Sequence, residues 1–567
     1  MELKGIGASE GAVSGTVVVF THEVDSESTV EEAFTYKKAI ELFLKGRKIL
    51  YDELLSMAKE TEKKYGSDKA GLFEAYAEIL MDDEIETLFC AYVKEGCAPA
   101  VAAQKAFEEQ ARELESLEGS YMKERGADLL DIGRRLASAI KGKRHNLPVL
   151  TGPCILVADD LGPFETLSLD QKNILGIAVD KGGYTGHLAI VARSLGIPCI
   201  VGLGDASVQL KTGTLCAMDG GSGCLIAEPD AETLKAFSLK EEARQLELSK
   251  LIKSAAEPAR TKDGASILVC ANIGSPNEAR HAAAQGADGI GIFRTELMFM
   301  DSLSLPTEEE QYLVYRDIVE TFCARTVTIR TIDIGGDKEH PALGLEKEDN
   351  PFLGYRAIRL CLEQPDVFKP QIRAILRAAA FGSVEIMFPL ITSLEEIRKA
   401  RLIVDECRRE LASEGIEAGD PAVGIMVETP AAALMACEFA EETDFFSIGT
   451  NDLAQYTLAA DRGNSRLSGL YDQLDPAVLR LMAMTCKAAS DAGIQVGICG
   501  ELAANPKALP LLIGLGMTKF GVSASRIPGL KAEIRCLETD RCHELAKKAQ
   551  TLPDAAAVHE MIGNKEH

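Results

Sequence analysis

Positive charge is in short supply in this sequence: 61 Lys and Arg stand against 87 Asp and Glu, a net charge of −26 over 567 residues. So acidic a chain is a poor match for nucleic acid or for an anionic membrane surface. An anionic substrate would need the few cations gathered in one place. Long apolar runs are missing as well, so no segment is expected to insert into a membrane. The opening Met1-Glu2-Leu3-Lys4-Gly5-Ile6-Gly7 lacks the apolar stretch of a signal peptide. The 15 cysteines form neither CxxC pairs nor Cys/His clusters, so neither a zinc site nor a disulfide framework is expected. A reducing cytoplasm is the expected compartment. What is present is 46% hydrophobic residues, enough to fill sizeable cores, in a chain long enough for several domains.

Histidine is rare, with eight in the chain, and one has a distinctive setting. Gly182-Gly183-Tyr184-Thr185-Gly186-His187 follows Ile174–Val179, which reads as a buried strand, and precedes Leu188–Leu195, which has helical apolar spacing. The Gly-Gly pair permits a tight turn, and Thr185 is a candidate N-cap. His187 is therefore expected near a helix N-terminus at a loop tip, where backbone N–H groups and the helix dipole favour an anion. An imidazole there suits acceptance of a phosphoryl group. From this fragment alone, a helix-start histidine of no catalytic value reads equally well, because a single glycine-rich match is weak.

The first twenty residues or so read as strand, with a turn over Gly11–Gly15 and a β-branched run Thr16–Phe20. Helical periodicity then predicts helices over 31–64, 72–92, 98–117 and 127–140, with little glycine inside them: a packed helical bundle. Strands return between Pro148 and Ala227, including the turn Asp219-Gly220-Gly221-Ser222-Gly223. That order implies an α/β module with a helical insertion. Leu234–Ala256 is charged and helical and reads as a linker. Beyond it, eight apolar segments alternate with helical ones: Ile267–Ala271, Gly289–Phe293, Val327–Ile332, Val384–Phe388, Val423–Val427, Phe445–Ile448, Gln495–Ile498 and Lys519–Val522. Eight buried parallel strands predict a (β/α)8 barrel. An open doubly wound sheet competes, but no strand is followed by the dinucleotide-type glycine fingerprint.

In a barrel the site lies at the C-terminal ends of the strands. Arg294 and Glu296 end the second segment, Arg330 and Asp333 the third, Glu428 the fifth, Asn451 and Asp452 the sixth with Arg462 soon after, and Cys499-Gly500-Glu501 the seventh. Any one of these is compatible with a structural ion pair; the set makes chemical sense. Three arginines suit a small, multiply charged anion bearing phosphate or carboxylate. Glu428 and Asp452 are hard oxygen ligands of the kind Mg²⁺ takes. Cys499 is a lone thiol among charged groups, able to exchange a proton with carbon.

With these motifs the chain resembles the enzyme I family of the bacterial phosphoenolpyruvate (PEP)-dependent sugar phosphotransferase system. The resemblance runs over nearly the whole chain. It rests on the His187 motif, Tyr121–Asp128, Gly286–Glu296, Arg330–Lys338, Asn350–Arg356, Gly449–Leu453, Asp461–Asn464 and Cys499–Glu501. Pyruvate phosphate dikinase and PEP synthase look similar in these parts but carry an additional ATP-grasp domain, for which this chain has no room. The resemblance implies an α/β multidomain protein. Residues 1–24 and 144–228 would form an α/β phosphohistidine domain, 25–143 a helical insertion docking the carrier protein HPr, 229–257 a linker helix, and 258–567 a (β/α)8 TIM barrel that binds PEP and forms a homodimer. It implies His187 as the phosphorylated residue, Arg294, Arg330, Arg462 and Asn451 as PEP ligands, and Glu428 and Asp452 as ligands of Mg²⁺. Cys499 would protonate the enolate, with Lys338 and Arg356 as further candidates near the phosphate.

The chain departs from the family pattern in places. Gly186 stands where serine is usual and Leu188 where a small residue is usual. Asp472-Gln473-Leu474-Asp475-Pro476 replaces a stretch commonly Asp-Pro-Leu-His-Pro. Tyr76 replaces a histidine at a position that faces the carrier in the family. These differences bear on which carrier is served. Two classes of function stay open, a phosphoryl-transfer enzyme and a PEP-sensing homologue without turnover; the retained His, Arg, Asn, Glu, Asp and Cys set favours the enzyme.

Overall fold

The computed structural model describes the whole chain apart from residues 22–34, 66–72, 74–75, 117–119, 143–149, 151, 163–164, 167–172, 184–186, 301–303, 337–339, 347, 463, 465–466, 468 and 564–567. It divides into two compact units, Met1–Glu247 and Leu248–His567.

In the first unit, strands β1 (Glu2–Lys4), β2 (Ile6–Ser9) and β3 (Ala12–Phe20) precede four long helices. These are α1 (Tyr36–Tyr65), α2 (Asp83–Lys94), α3 (Pro99–Ser116) and α4 (Ser120–Ile140). Then come β4 (Cys154–Ala158), β5 (Ile174–Val179), α5 (His187–Leu195), β6 (Cys199–Val201), β7 (Leu215–Asp219) and β8 (Cys224–Ala227), and α6 (Ala231–Ala255) runs across the division at Glu247. The sheet order is β1-β8-β7-β3-β4-β5-β6-β2, with β3 to β6 parallel and the outer strands antiparallel. Parallel neighbours need a long crossover, and the helical region is the crossover from β3 to β4. Of the turn expected at Gly11–Gly15, Gly11 (φ +141°) lies between β2 and β3, and Ala12–Gly15 is instead the first part of β3. A Cβ on Gly15 would lie 2.8 Å from Leu175 Cδ1, so this glycine admits a close neighbour within the strand.

The helices pack around Phe43, Phe73, Phe89, Phe107, Ile132 and Leu136, with Phe43 and Phe89 stacked at 4.2 Å. The helix expected over 72–92 is interrupted before α2. The Asp82 side chain accepts the Glu84 N–H and starts a new helix there. Tyr76, expected on a carrier-facing surface, is 1% exposed within this core. An aromatic ring of that size is used for packing here. The helix expected over 127–140 begins earlier, at Ser120, and the expected linker helix spans Ala231–Ala255. The Asp219–Gly223 turn joins β7 to β8 as expected, held by the Asp219 carboxylate, which accepts Gly221 N–H at 3.1 Å and Ser222 Oγ at 2.6 Å.

The second unit holds β9 (Ala259–Arg260), β10 (Ser266–Ile273), β11 (Ile290–Arg294), β12 (Val327–Arg330) and β13 (Val384–Phe388). It continues through β14 (Ala422–Val427), β15 (Phe445–Gly449), β16 (Gln495–Cys499) and β17 (Lys519–Val522). Strands β10 to β17 are parallel neighbours in sequence order, and β10 pairs with both β11 and β17. The sheet therefore closes into an eight-stranded barrel, not an open sheet. Strand interiors such as Val384–Phe388 and Ala422–Val427 are almost wholly buried, which explains their continuous apolar sequence: both faces of each strand are covered. Lys519, Glu385 and Thr328 form a polar layer inside, with Lys519 Nζ 2.6 Å from Glu385 Oε2 and 3.0 Å from Thr328 Oγ1.

Candidate active site at the barrel mouth

A cavity of about 530 Å³ opens at the C-terminal ends of the barrel strands. Arg294 reaches it from the end of β11, Arg330 from the end of β12, and Glu428 from the residue after β14. Asn451 and Asp452 enter from the first turn of α7 (Thr450–Leu458), Arg462 from the segment beyond it, and Cys499 from the end of β16. The structure thus brings together the expected residues from barrel strands far apart in sequence. Arg356, Asp333, Glu296 and Glu501 share the lining. Lys338 falls outside the described residues.

Three of the cavity arginines are held by carboxylates. Arg330 pairs with Glu296 and lies 3.2 Å from Asp333. Arg356 Nη2 lies 2.8 Å from Asp333 Oδ1 and 3.5 Å from Asp452 Oδ2. Arg462 Nη1 lies 3.2 Å from Asp452 Oδ1. Burial works against the Arg330 charge, but Glu296, Asp333 and Glu428 outweigh it and hold the guanidinium firmly protonated. Behind this row, Gln371 is fully buried, accepting Ile332 N–H at 2.9 Å and donating to Thr295 Oγ1 at 3.1 Å. Thr295 donates in turn to the Arg330 carbonyl at 2.8 Å, fixing the backbone that carries the arginine.

Glu428 is buried, and its carboxyl is pushed up to about 8 by burial and by the nearby Asp452 and Asp333 charges. Crowded hard oxygens of this kind fit a divalent cation, which would relieve the repulsion. No cluster of three or more His, Cys, Asp or Glu suited to a metal forms among the described residues. Two carboxylates completed by water and substrate oxygens are nonetheless an ordinary Mg²⁺ set. The Cys499 thiol is buried and raised above its usual value by that burial, offset in part by the Ser447 hydroxyl 3.3 Å away and by the Lys519, Arg294 and Arg330 charges.

His187 is the first residue of α5, following β5 and the Gly182 turn, whose φ is +97°. The cap expected at Thr185, and Gly186, lie outside the described residues. Leu188 is buried against the sheet of the first unit. Tyr471 and Gln473 also line the barrel cavity and escaped the sequence reading. They lie on a loop beyond the sixth strand, where no strand-end rule points to them; the only signal was the departure from the family pattern at 472–476.

Residues 4–125, 150–223 and 249–539 match, respectively, the N-terminal, mobile and PEP-binding domains of the PEP-utilising enzymes. The chain is 41% identical to a phosphoenolpyruvate-protein phosphotransferase of Geobacillus stearothermophilus, covering 89% of this chain and 88% of that one. It is 40% identical to the Haemophilus influenzae protein of the same name, covering 99% and 98%. For that of Bacillus subtilis the identity is 39%, covering 98% of both. A solution structure of an Enzyme I protein (nEIt) aligns with 43% of this chain and 99% of its own at 34% identity and a TM-score of 0.37. By the family matches and the sequence matches to these phosphotransferases, which run over most of the length of both chains, the chain belongs to the PEP-utilising enzymes, the family that includes the phosphoenolpyruvate-protein phosphotransferases.

Proposed function

We propose that this chain is a phosphoenolpyruvate-protein phosphotransferase. It moves the phosphoryl group of PEP to His187 and on to the histidine of an HPr-type carrier, releasing pyruvate, as the first step of sugar uptake by the phosphotransferase system. The observation that carries this reading is the convergence of Arg294, Arg330 and Arg462 on one cavity that also holds the Glu428 and Asp452 carboxyls and a protonated thiol.

In this reading the arginines neutralise the phosphate and carboxylate of PEP, and their fork geometry orients both groups. Carboxylate partners keep Arg330 and Arg462 in place before substrate arrives, so little reorganisation of these two accompanies binding. The Asn451 amide adds a neutral donor. Glu428 and Asp452 would hold Mg²⁺, which supplies charge neutralisation on the substrate oxygens. The His187 imidazole attacks phosphorus in line, the P–O bond to the enol oxygen breaks, and enolpyruvate remains as its enolate. Cys499 gives its thiol proton to the methylene carbon, forming pyruvate and leaving a thiolate beside the Ser447 hydroxyl. Solvent reprotonates the thiolate once pyruvate has left. The phosphohistidine then passes its group to the carrier.

The reading assigns residues 1–24 and 144–228 to the phosphohistidine domain, 25–143 to carrier docking, 229–257 to a linker, and 258–567 to PEP binding and dimerisation. It places the protein in the cytoplasm; no described helix is long and apolar enough to cross a membrane. The test is incubation with labelled PEP and Mg²⁺. Acid-labile, base-stable label on the protein, chased onto a carrier, is expected. PEP binding without label would make the chain a sensor instead.

A further inference from the structure

The wall of the cavity contains one amide that the strand ends do not supply. Gln473 lies on the loop between α7 and helix α8 (Pro476–Ala492), at a position where the family commonly carries a proline. Its carboxamide makes three hydrogen bonds. Nε2 donates to Asn451 Oδ1 at 2.8 Å and to the Tyr471 hydroxyl at 3.3 Å, and Oε1 accepts from Thr450 Oγ1 at 2.8 Å.

The directions of these bonds are tied together. The Tyr471 hydroxyl spends its single proton on the Asn451 backbone carbonyl, 3.2 Å away. Its oxygen must therefore accept from Gln473, and only the amino end of Gln473 can donate. With Nε2 on that side, the same group faces Asn451 and requires its oxygen. The Asn451 carboxamide is thus set with Oδ1 on Gln473 and Nδ2 as the end left for a ligand. Gly500, at a φ of +134°, protects the arrangement: a Cβ there would come within 2.7 Å of Thr450 Oγ1 and displace the hydroxyl that anchors Gln473.

We infer that Gln473 is a positioning residue for Asn451, holding its amide with the N–H donors turned toward an anionic oxygen of the substrate. The inference rests on the reading of this cavity as the PEP site. Asparagine alone offers an acceptor or a donor with equal ease; an acceptor facing PEP would repel it. Gln473 removes that choice before PEP arrives.

The experiment is single-turnover self-phosphorylation by PEP in the full-length protein, the labelling rate followed against PEP concentration to give a maximal rate kmax and a half-saturating KM, with Gln473→Ala, Gln473→Glu, Asn451→Ala and the Gln473→Ala/Asn451→Ala pair, each checked for an unchanged melting temperature. Gln473→Ala is expected to lower kmax/KM about tenfold to hundredfold, the size of a hydrogen bond to a charged group. Gln473→Glu keeps the shape but only accepts. It should draw Asn451 Nδ2 to itself, present Oδ1 to PEP, and raise KM more than the alanine does. The pair should be no worse than Asn451→Ala, because Gln473 acts through that residue. Wild-type rates in both Gln473 variants, or full additivity in the pair, would overturn the inference. A wild-type protein that PEP does not label would overturn the functional reading beneath it instead, which separates the two failures.

Discussion

Glu428 Oε1 accepts the backbone N–H of Leu390 at 2.6 Å, and Leu390 presents that N–H from a left-handed backbone, φ +57°. A non-glycine residue in this region costs roughly 1–3 kcal/mol and is retained where the surroundings enforce it. Here it fixes one carboxyl oxygen of an acid whose proton is held by burial and by the neighbouring Asp452 and Asp333 charges. On the other side, a Cβ at Gly449 would lie 2.8 Å from Glu428 Oε2. The acid is gripped on one oxygen and given room on the other.

Glu428→Gln should therefore leave the fold intact and damage the metal requirement. The amide keeps the size but removes a hard anionic ligand. The Mg²⁺ concentration for half-maximal labelling should rise, and the maximal rate should fall on the order of hundredfold or more, in line with several kcal/mol of charge stabilisation. A titration of rate against free Mg²⁺, with a chelator-treated control, reads both. An unchanged Mg²⁺ curve would show that other groups hold the ion.

His187→Ala should abolish acid-labile labelling, whereas His281→Ala and His145→Ala should retain it. Label that survives in the His187 variant would place the acceptor elsewhere.

Cys499→Ala should still label His187 while pyruvate appears slowly, because the thiol acts on carbon after phosphorus has moved. Burial raises the thiol's proton affinity, so its donor form persists above the pH at which an exposed cysteine ionises. In wild type, enolate protonation should accordingly hold level from pH 7 to about 8.5. Wild-type pyruvate rates and methyl-group stereochemistry in the alanine variant would assign the proton to another donor.

Gly335→Ala should lower both stability and PEP affinity. The residue has φ +106°, and its new Cβ would lie 2.4 Å from Arg356 Cβ. Backbone strain of roughly 1–3 kcal/mol is expected, together with displacement of Arg356 from Asp333 and Asp452. Thermal melting and the half-saturating PEP concentration should both shift. A shift in melting alone would separate Arg356 from substrate binding.

Much of the barrel was legible in the chain. Val384–Phe388 and Lys519–Val522 were read with the bounds they have, because strands buried on both faces leave an unbroken apolar run. Arg330, Glu428 and Cys499 were found by the same logic: an apolar run that stops at a charged or reactive side chain marks a strand end facing the mouth. The burial of Tyr76 was not legible, since local sequence does not say which side of a helix meets a core. Gln473 was passed over because its role depends on partners at 450, 451 and 471 arranged by a loop without periodicity.

The sequence by itself determined the alternation of elements and the chemical types at the barrel mouth, since both follow from short-range patterns of burial and turn formation. Only the tertiary structure decided which donor faces which acceptor. That the Asn451 amide turns its oxygen to Gln473, and that Glu428 is held by Leu390 while Asp452 and Asp333 crowd it, depends on distances between residues far apart along the chain. Hydrogen-bond direction and charge repulsion act through space at a few ångströms, and only closure of the barrel brings those groups within that range.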